Sequence, residues 1–286
     1  MAEIEEYQTT DKYNEHHAMM ILSEKRDYKV VKANALIQRA RYDFSAQEQK
    51  IVLYLISKIK PEDDNFKLYD FEIKEFCRIC GIDERSGKNY ADMKNTIKKL
   101  ADKSIWVTLN ENKDETLLRW IEKPYIRKKT GTIQIRLDRD MKPFLLQLKE
   151  QFTQYHLLYT LAMKGRYSIR LYELLKSYEY RTRYKFDIDD FKSKIGAEKY
   201  ERHADFKRFV LLPALKEINT FGDITVTYSF AKTGKKITEI EFFIKLKKEL
   251  DERLETWAQI EQKLNPKQMK GQISLWTVGA ENEKNA

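Results

Sequence analysis

Two cysteines, four histidines and several clusters of arginine and lysine are the groups of this chain with chemistry to offer. Cys77 and Cys80 stand in the run CRIC. A zinc site needs about four ligands, and no second cysteine pair completes one. A redox pair would need a thioredoxin-like strand–helix–strand setting, which the flanking pattern lacks. The two thiols therefore read as buried or half-buried. His16 and His17 are adjacent, so on a strand their rings would point apart; the other two histidines are His156 and His203. A nicking enzyme would need two histidines separated by one apolar residue, holding a metal beside a nucleophilic tyrosine. That spacing does not occur, nor does a GxxxxGK[ST] loop for nucleotide phosphates. The expectation is no catalytic residue, no metal and no cofactor.

The basic clusters read differently. Arg127, Lys128 and Lys129 precede Gly131 in one tight turn, and Lys232, Lys235 and Lys236 surround Gly234 in another. A solvated turn would use the same residues, but two equivalent basic tips fit contact with phosphates. Each tip follows a helical segment with cations of its own. Arg85, Lys88, Asn89 and Lys94 lie in or near the start of one, and Lys199, Arg202, His203, Lys207 and Arg208 near the start of the other. Arginine and asparagine suit bidentate contacts with guanine and adenine edges, and a helix N-terminus favours phosphate. The competing reading is an exposed charged face with Glu201 and Asp205 as local partners.

The elements that must position these groups occur twice. From Gly165 the pattern runs helix, short strand, helix, turn, longer helix and hairpin. Ile169, Leu171, Tyr172, Leu174 and Leu175 form a mostly helical stripe, and Tyr184, Phe186 and Ile188 alternate as a half-buried strand does. Asp187 or Asp189 can cap the helix that carries Phe191 and Ile195 and stops at Gly196. The longer helix buries Phe206, Val210, Ala214 and Ile218 at a spacing of four. Pro213 inside it deletes a backbone bond and predicts a kink, which leaves the N-terminal half to do the reading.

Earlier in the chain Ile51, Leu53, Tyr54 and Ile56 match Ile169, Leu171, Tyr172 and Leu174 at an offset of 118 (54 to 172). Tyr69, Phe71, Ile73, Phe76 and Gly81 match Tyr184, Phe186, Ile188, Phe191 and Gly196 at 115 (81 to 196). Ala91 to Lys94 match Ala204 to Lys207 at 113 (94 to 207), and Lys129 to Gly131 match Lys232 to Gly234 at 103 (131 to 234). Elements kept in order over such a length are an internal repeat of one domain. A helix pair followed by a β-hairpin is the order of a winged helix-turn-helix, so the expected fold is α+β, two winged-helix domains in tandem.

The bulk numbers agree. A chain of 286 residues can hold two domains with separate cores. It carries 54 basic against 45 acidic residues, a net +9 that favours a polyanionic partner. Two cysteines imply no disulfide framework and a reducing interior. No signal peptide is read in the first thirty residues, and no apolar run is long enough to cross a bilayer.

Other local signals fill the gaps. Ser45 and Glu48 form a capping box for a helix reaching about Lys58. Strands are expected at Ile105–Leu109 and Leu117–Ile126. From Arg139 to Met163 the period is helical, with Pro143 in the first turn, which predicts a helical bridge between domains. Lys247 to Leu264 reads as an amphipathic helix.

The stretch VVKANALIQRARYDFSAQEQKIVLYLISKI resembles the opening of replication initiator (Rep) proteins of iteron-containing, theta-replicating plasmids. SIRLYELLKSY, YKFDIDDFKSKIG and FKRFVLLPALKEIN resemble their second half. The resemblance covers about Lys29 to Leu246. It implies a non-enzymatic, cytoplasmic bacterial protein whose monomer binds directly repeated origin sites. It implies that residues 29–150 give dimerisation and auxiliary DNA contacts, and that residues 151–246 make the main major-groove contacts. Residues 1–28 would be a flexible tail, and 247–286 a C-terminal helix and mobile tail. A dimer would bind an inverted-repeat operator and repress the protein's own gene. Bound monomers would help melt A+T-rich DNA and recruit the host initiator and helicase. Lys199, Arg202, Lys207 and Arg208 carry over as groove or phosphate contacts, with Arg85, Lys88 and Lys94 as a weaker set. The alternatives are a winged-helix transcriptional regulator and, against the missing histidine motif, a rolling-circle nicking enzyme.

Overall fold

A computed structural model of the chain describes residues 29–74, 88–109, 114–127 and 129–264. The expectations for the tail before Lys29, for Cys77, Cys80, Gly81 and Arg85, for Lys128 and for the segment after Leu264 lie outside those residues.

The first unit opens with β1 (Lys29–Ala33) and α1 (Asn34–Arg39). Then α2 (Ala46–Ile56) begins at Ser45, whose side chain accepts from the Glu48 N–H while Glu48 accepts from the Ser45 N–H, the expected capping box. Every residue of α2 from Glu48 to Ile56 is buried, so this helix is central rather than amphipathic. β2 (Tyr69–Glu72), α3 (Lys88–Asp102), a hairpin of β3 (Ser104–Thr108) and β4 (Glu115–Arg119), and the shorter strands β5 (Tyr125–Arg127) and β6 (Thr132–Ile135) follow. The strand expected over Leu117–Ile126 is thus two strands. Pro124 has no N–H for a ladder, and Trp120, just past β4, turns fully into the core.

The helix expected from Arg139 to Met163 is broken. A 3₁₀ turn and α4 (Lys142–Leu145) give way to β7 (Phe152–His156), and α5 (Leu157–Leu161) follows. Gln147 and Gln151 take left-handed φ of 50° and 51°, off the helical path. The reason is a partner: β7 pairs antiparallel with β1 along its whole length, and the Thr153 hydroxyl donates to the Asn34 side chain. Edge strand β1 would otherwise leave backbone groups unpaired.

The second unit is α6 (Arg166–Lys176), β8 (Arg183–Asp187), α7 (Ile188–Ile195), α8 (His203–Phe206), a π-helical turn over Lys207–Leu211, α9 (Leu212–Phe221), and the strands β9 (Ile224–Thr233) and β10 (Lys236–Leu246). Asp187, not Asp189, caps α7 by accepting from two backbone N–H groups, and Gly196 ends it at φ 68°. Helix α10 (Leu250–Leu264) closes the described chain against α9.

Sheet topology confirms the repeat. β2 pairs with β6, which pairs with β5; β8 pairs with β10, which pairs with β9. In both units the strand before the helices hydrogen-bonds the second strand of the hairpin. The hairpin β3–β4 has no equivalent in the second unit, where α9 leads directly to β9.

Helix α6 joins the two units. Glu173, buried, binds Lys32 at 2.6 Å and accepts from the Tyr155 hydroxyl at 2.6 Å. Arg170, equally buried, donates to the carbonyls of Ile37, Ala40 and Lys194 and stacks on Tyr42. Burial and the Glu173 carboxylate push the Tyr155 hydroxyl well above its ordinary pKa, so it stays a neutral donor.

Candidate nucleic-acid interface

The second unit presents α8, the π turn and α9 as one continuous helix. Pro213 lacks an N–H, and its ring crowds the carbonyl four residues back. The expected kink takes the form of a wider turn before it: the Leu212 N–H donates to the Lys207 carbonyl, five residues back. The core face is filled by Phe206, Val210, Leu211, Ala214, Leu215 and Ile218. Lys207, Arg208 and Phe209 are consecutive exposed residues of the π turn.

Arg202 is the N-cap residue; its side chain is 82% exposed and lies 3.8 Å from the Asp205 carboxylate. Lys199, exposed in the turn before it, extends over the Tyr200 ring at 5.3 Å. His203 does not point freely outward. Its ring packs edge-on against Phe230 of β9 at 4.4 Å. Burial lowers its pKa below the ordinary 6.5, and the charges of Lys192, Lys207 and Lys232 lower it further. The same contact brings the start of the helix beside the hairpin.

That hairpin is the wing. Its turn is Gly234-Lys235, with Gly234 at φ 62°, the first central position that a type II′ turn gives to glycine. Lys232, Lys235 and Lys236 are all exposed at the tip, with Lys236 4.0 Å from Asp189. Asn219 fixes the wing to the helix: it donates to the Val226 carbonyl and accepts from the Val226 N–H. Two residues earlier, Glu217 accepts from the backbone N–H groups of Lys164 and Gly165 at the start of α6. Both anchors come from the KEIN run.

In the first unit α3 starts at Lys88 and Asn89, and Lys94 is exposed on its outer face. Arg127 ends β5 and lies 3.9 Å from Asp70; Lys129 is exposed in the turn that closes at Gly131, φ 65°. The structure thus brings the second-unit residues to one helix-and-wing surface.

Sequence reasoning missed two groups. Arg170 and Glu173 lie outside the apolar stripe read for this helix, yet both are buried between the units. Phe209 and Leu212 were passed over, yet they are 51% and 46% exposed on the long helix that precedes the wing. A signal existed for the second pair: each falls between positions of the core stripe. Among the described residues no group of histidine, cysteine and carboxylate side chains is arranged to hold a metal, and no helix is long and apolar enough to cross a membrane.

Comparison with known proteins points one way. The family model described as "Initiator Replication protein, WH1" matches residues 29–176, and "Initiator Rep protein, WH2" matches residues 187–244. An Escherichia coli protein named "Replication initiation protein" is 24% identical over 234 residues, spanning 78% of this chain and 71% of its own length. A solved structure described as "Crystal structure of SeMet derivatives of domain2 and domain 3 of RctB" covers 71% of this chain and 83% of its own, with a TM-score of 0.44 at 12% identity.

Proposed function

The chain belongs to the family of initiator replication proteins with two winged-helix domains, and from that premise we propose that it initiates replication of a plasmid by binding direct repeats in the origin. The observation that carries the proposal is the single surface formed by Arg202, Lys207 and Arg208 on the reading helix and Lys232, Lys235 and Lys236 on the wing. Helix side chains read base edges and wing lysines hold the backbone. Residues 151–246 make the main contacts. Residues 29–150 add a second, weaker docking through Lys88, Asn89, Lys94, Arg127 and Lys129. Two modules on successive major-groove faces need a repeat of about two helical turns.

The dimer belongs to the same reading. The extra hairpin β3–β4 exposes Trp106 and Leu117 directly opposite one another, 54% and 52% exposed, and Leu109, just past the end of β3, is 48% exposed. An apolar patch on a two-stranded ribbon supports self-association of the first unit. The dimer then occupies an inverted-repeat operator and represses the gene, while the monomer melts origin DNA and recruits the host initiator and helicase.

The test is purified protein on a supercoiled plasmid carrying direct repeats beside an A+T-rich tract, read by permanganate reactivity of unpaired thymines. Opening of the tract that depends on the repeats is expected. Binding without opening would favour a transcriptional regulator. A protein-linked nick in the presence of magnesium would overturn the non-enzymatic reading.

A further inference from the structure

The reading helix carries two large apolar side chains that its core does not use. Val210 and Leu211 are 1% and 0% exposed, whereas their neighbours Phe209 and Leu212 are 51% and 46% exposed. The π turn creates this face. In α3 the buried residues Met93 and Thr96 are separated by two exposed ones, Lys94 and Asn95; in the second unit the buried Phe206 and Val210 are separated by three, Lys207, Arg208 and Phe209. Beyond that point the two helices agree again, Thr96 to Leu100 against Val210 to Ala214. The second reading helix therefore presents one more outward residue than the first. Its exposed apolar pair replaces polar residues of α3, where Asn95, Lys98 and Lys99 face out.

The surroundings of the pair identify its partner. Arg202, Lys207, Arg208 and Lys216 are exposed along the same helix, and the guanidinium of Arg208 stacks on the Phe209 ring at 5.1 Å. An apolar spot on a cationic helix fits a polyanion with an apolar group set into it. The major groove of DNA offers such a group, the 5-methyl of thymine. Resting on the DNA-binding reading above, we infer that Phe209, with Leu212 beside it, reads thymine methyl groups next to the base contacted by Arg208. Stacked bases repeat about every 3.4 Å, so groups 5.1 Å apart reach the same or neighbouring base pairs.

The test begins with a duplex selected by the wild-type protein from a randomised pool. Each thymine is then replaced singly by deoxyuridine, which removes only the methyl. The wild type should lose about fourfold in affinity at one or two positions, the size of one buried methyl contact. Phe209→Ala should bind thymine and uracil duplexes alike at those positions, and Phe209→Leu should keep part of the preference. Arg208→Ala should weaken both duplexes while the thymine-to-uracil ratio survives. Thermal unfolding of each variant checks the fold, and half-exposed side chains predict little change. Equal wild-type affinity for thymine and uracil at every position, or a full preference retained by Phe209→Ala, would overturn the inference and leave the DNA-binding reading standing. Failure to select any sequence would take down the sequence-specific reading, and this inference with it.

Discussion

The two winged-helix units share a strand order but place their charges differently. In helix α2 of the first unit, Val52 and Leu55 are apolar and buried. At the matching positions of α6, 118 residues on, stand Arg170 and Glu173, equally buried. On the outer surface the second unit has the longer wing, a reading helix widened by a π turn, and three exposed lysines at the tip. The first unit has wing strands of three and four residues and an arginine beside Asp70. A common fold therefore constrains the frame and leaves both the inner seam and the outer helix-and-wing surface to diverge. Burying an ion pair favours one arrangement of the units over others, because any shift leaves a charge unpaired.

The largest effect should come from that seam. Glu173→Ala leaves Lys32 buried without its partner and should cost about 3–5 kcal/mol in chemical denaturation. Replacing the whole group, Lys32→Met with Glu173→Leu and Tyr155→Phe, should recover most of the loss, since an apolar set tolerates burial and no hydroxyl is left unpaired. In the first unit Leu55→Ala should cost about 2–5 kcal/mol through a cavity, with no such rescue. If Glu173→Ala unfolds within 1 kcal/mol of wild type, the charged seam is not what distinguishes α6.

The reading helices come next. Arg208→Ala should lose about 1–3 kcal/mol on a selected duplex and less on scrambled DNA. Lys94→Ala should lose less, and equally on both duplexes. Equal losses for the two variants on both would remove the asymmetry between the units. The wings should be gentler still. Changing Lys232, Lys235 and Lys236 to alanine should flatten the slope of log affinity against log salt by about two to three units, at about 0.9 per phosphate. Arg127→Ala with Lys129→Ala should flatten it less, because two charges are removed rather than three. A larger change from the first wing would invert the assignment.

Much of this was legible in the sequence, for identifiable reasons. The repeat was readable because apolar spacing is imposed by the core, which both units must bury. Glycines 131 and 234 were readable because each takes a left-handed φ that other residues resist. The segment from Arg139 to His156 was not, because its leucines mimic a helical period while a distant strand, β1, dictates extended backbone. Arg170 and Glu173 were hidden by the same locality: nothing near them in sequence shows that Lys32 and the carbonyls of Ile37 and Ala40 would surround them. Pro213 announced a defect in the reading helix. Only packing on both sides showed that the defect adds an outward residue.

His203 gives the smallest expected effect and the one most specific to the second unit. At the corresponding place, 113 residues earlier, the first unit has a tyrosine, Tyr90, in place of a histidine. Burial against Phe230, together with the nearby lysines, depresses the His203 pKa below 6.5 in the folded chain. The unfolded chain then binds the proton first as pH falls through 6.5. The stabilising contribution is therefore full above that value and is lost as pH drops toward the lower, folded pKa. Since this ring joins the helix to the wing, acid should loosen that joint in the second unit. Thermal unfolding of wild type and His203→Gln at pH 7.5 and 5.5 measures it, with the remaining histidines common to both proteins. The wild type should lose more stability on acidification than the variant. Identical losses would mean that the His203 ring takes up its proton in the folded chain as readily as in the unfolded one, and that its contact with Phe230 does not depend on charge.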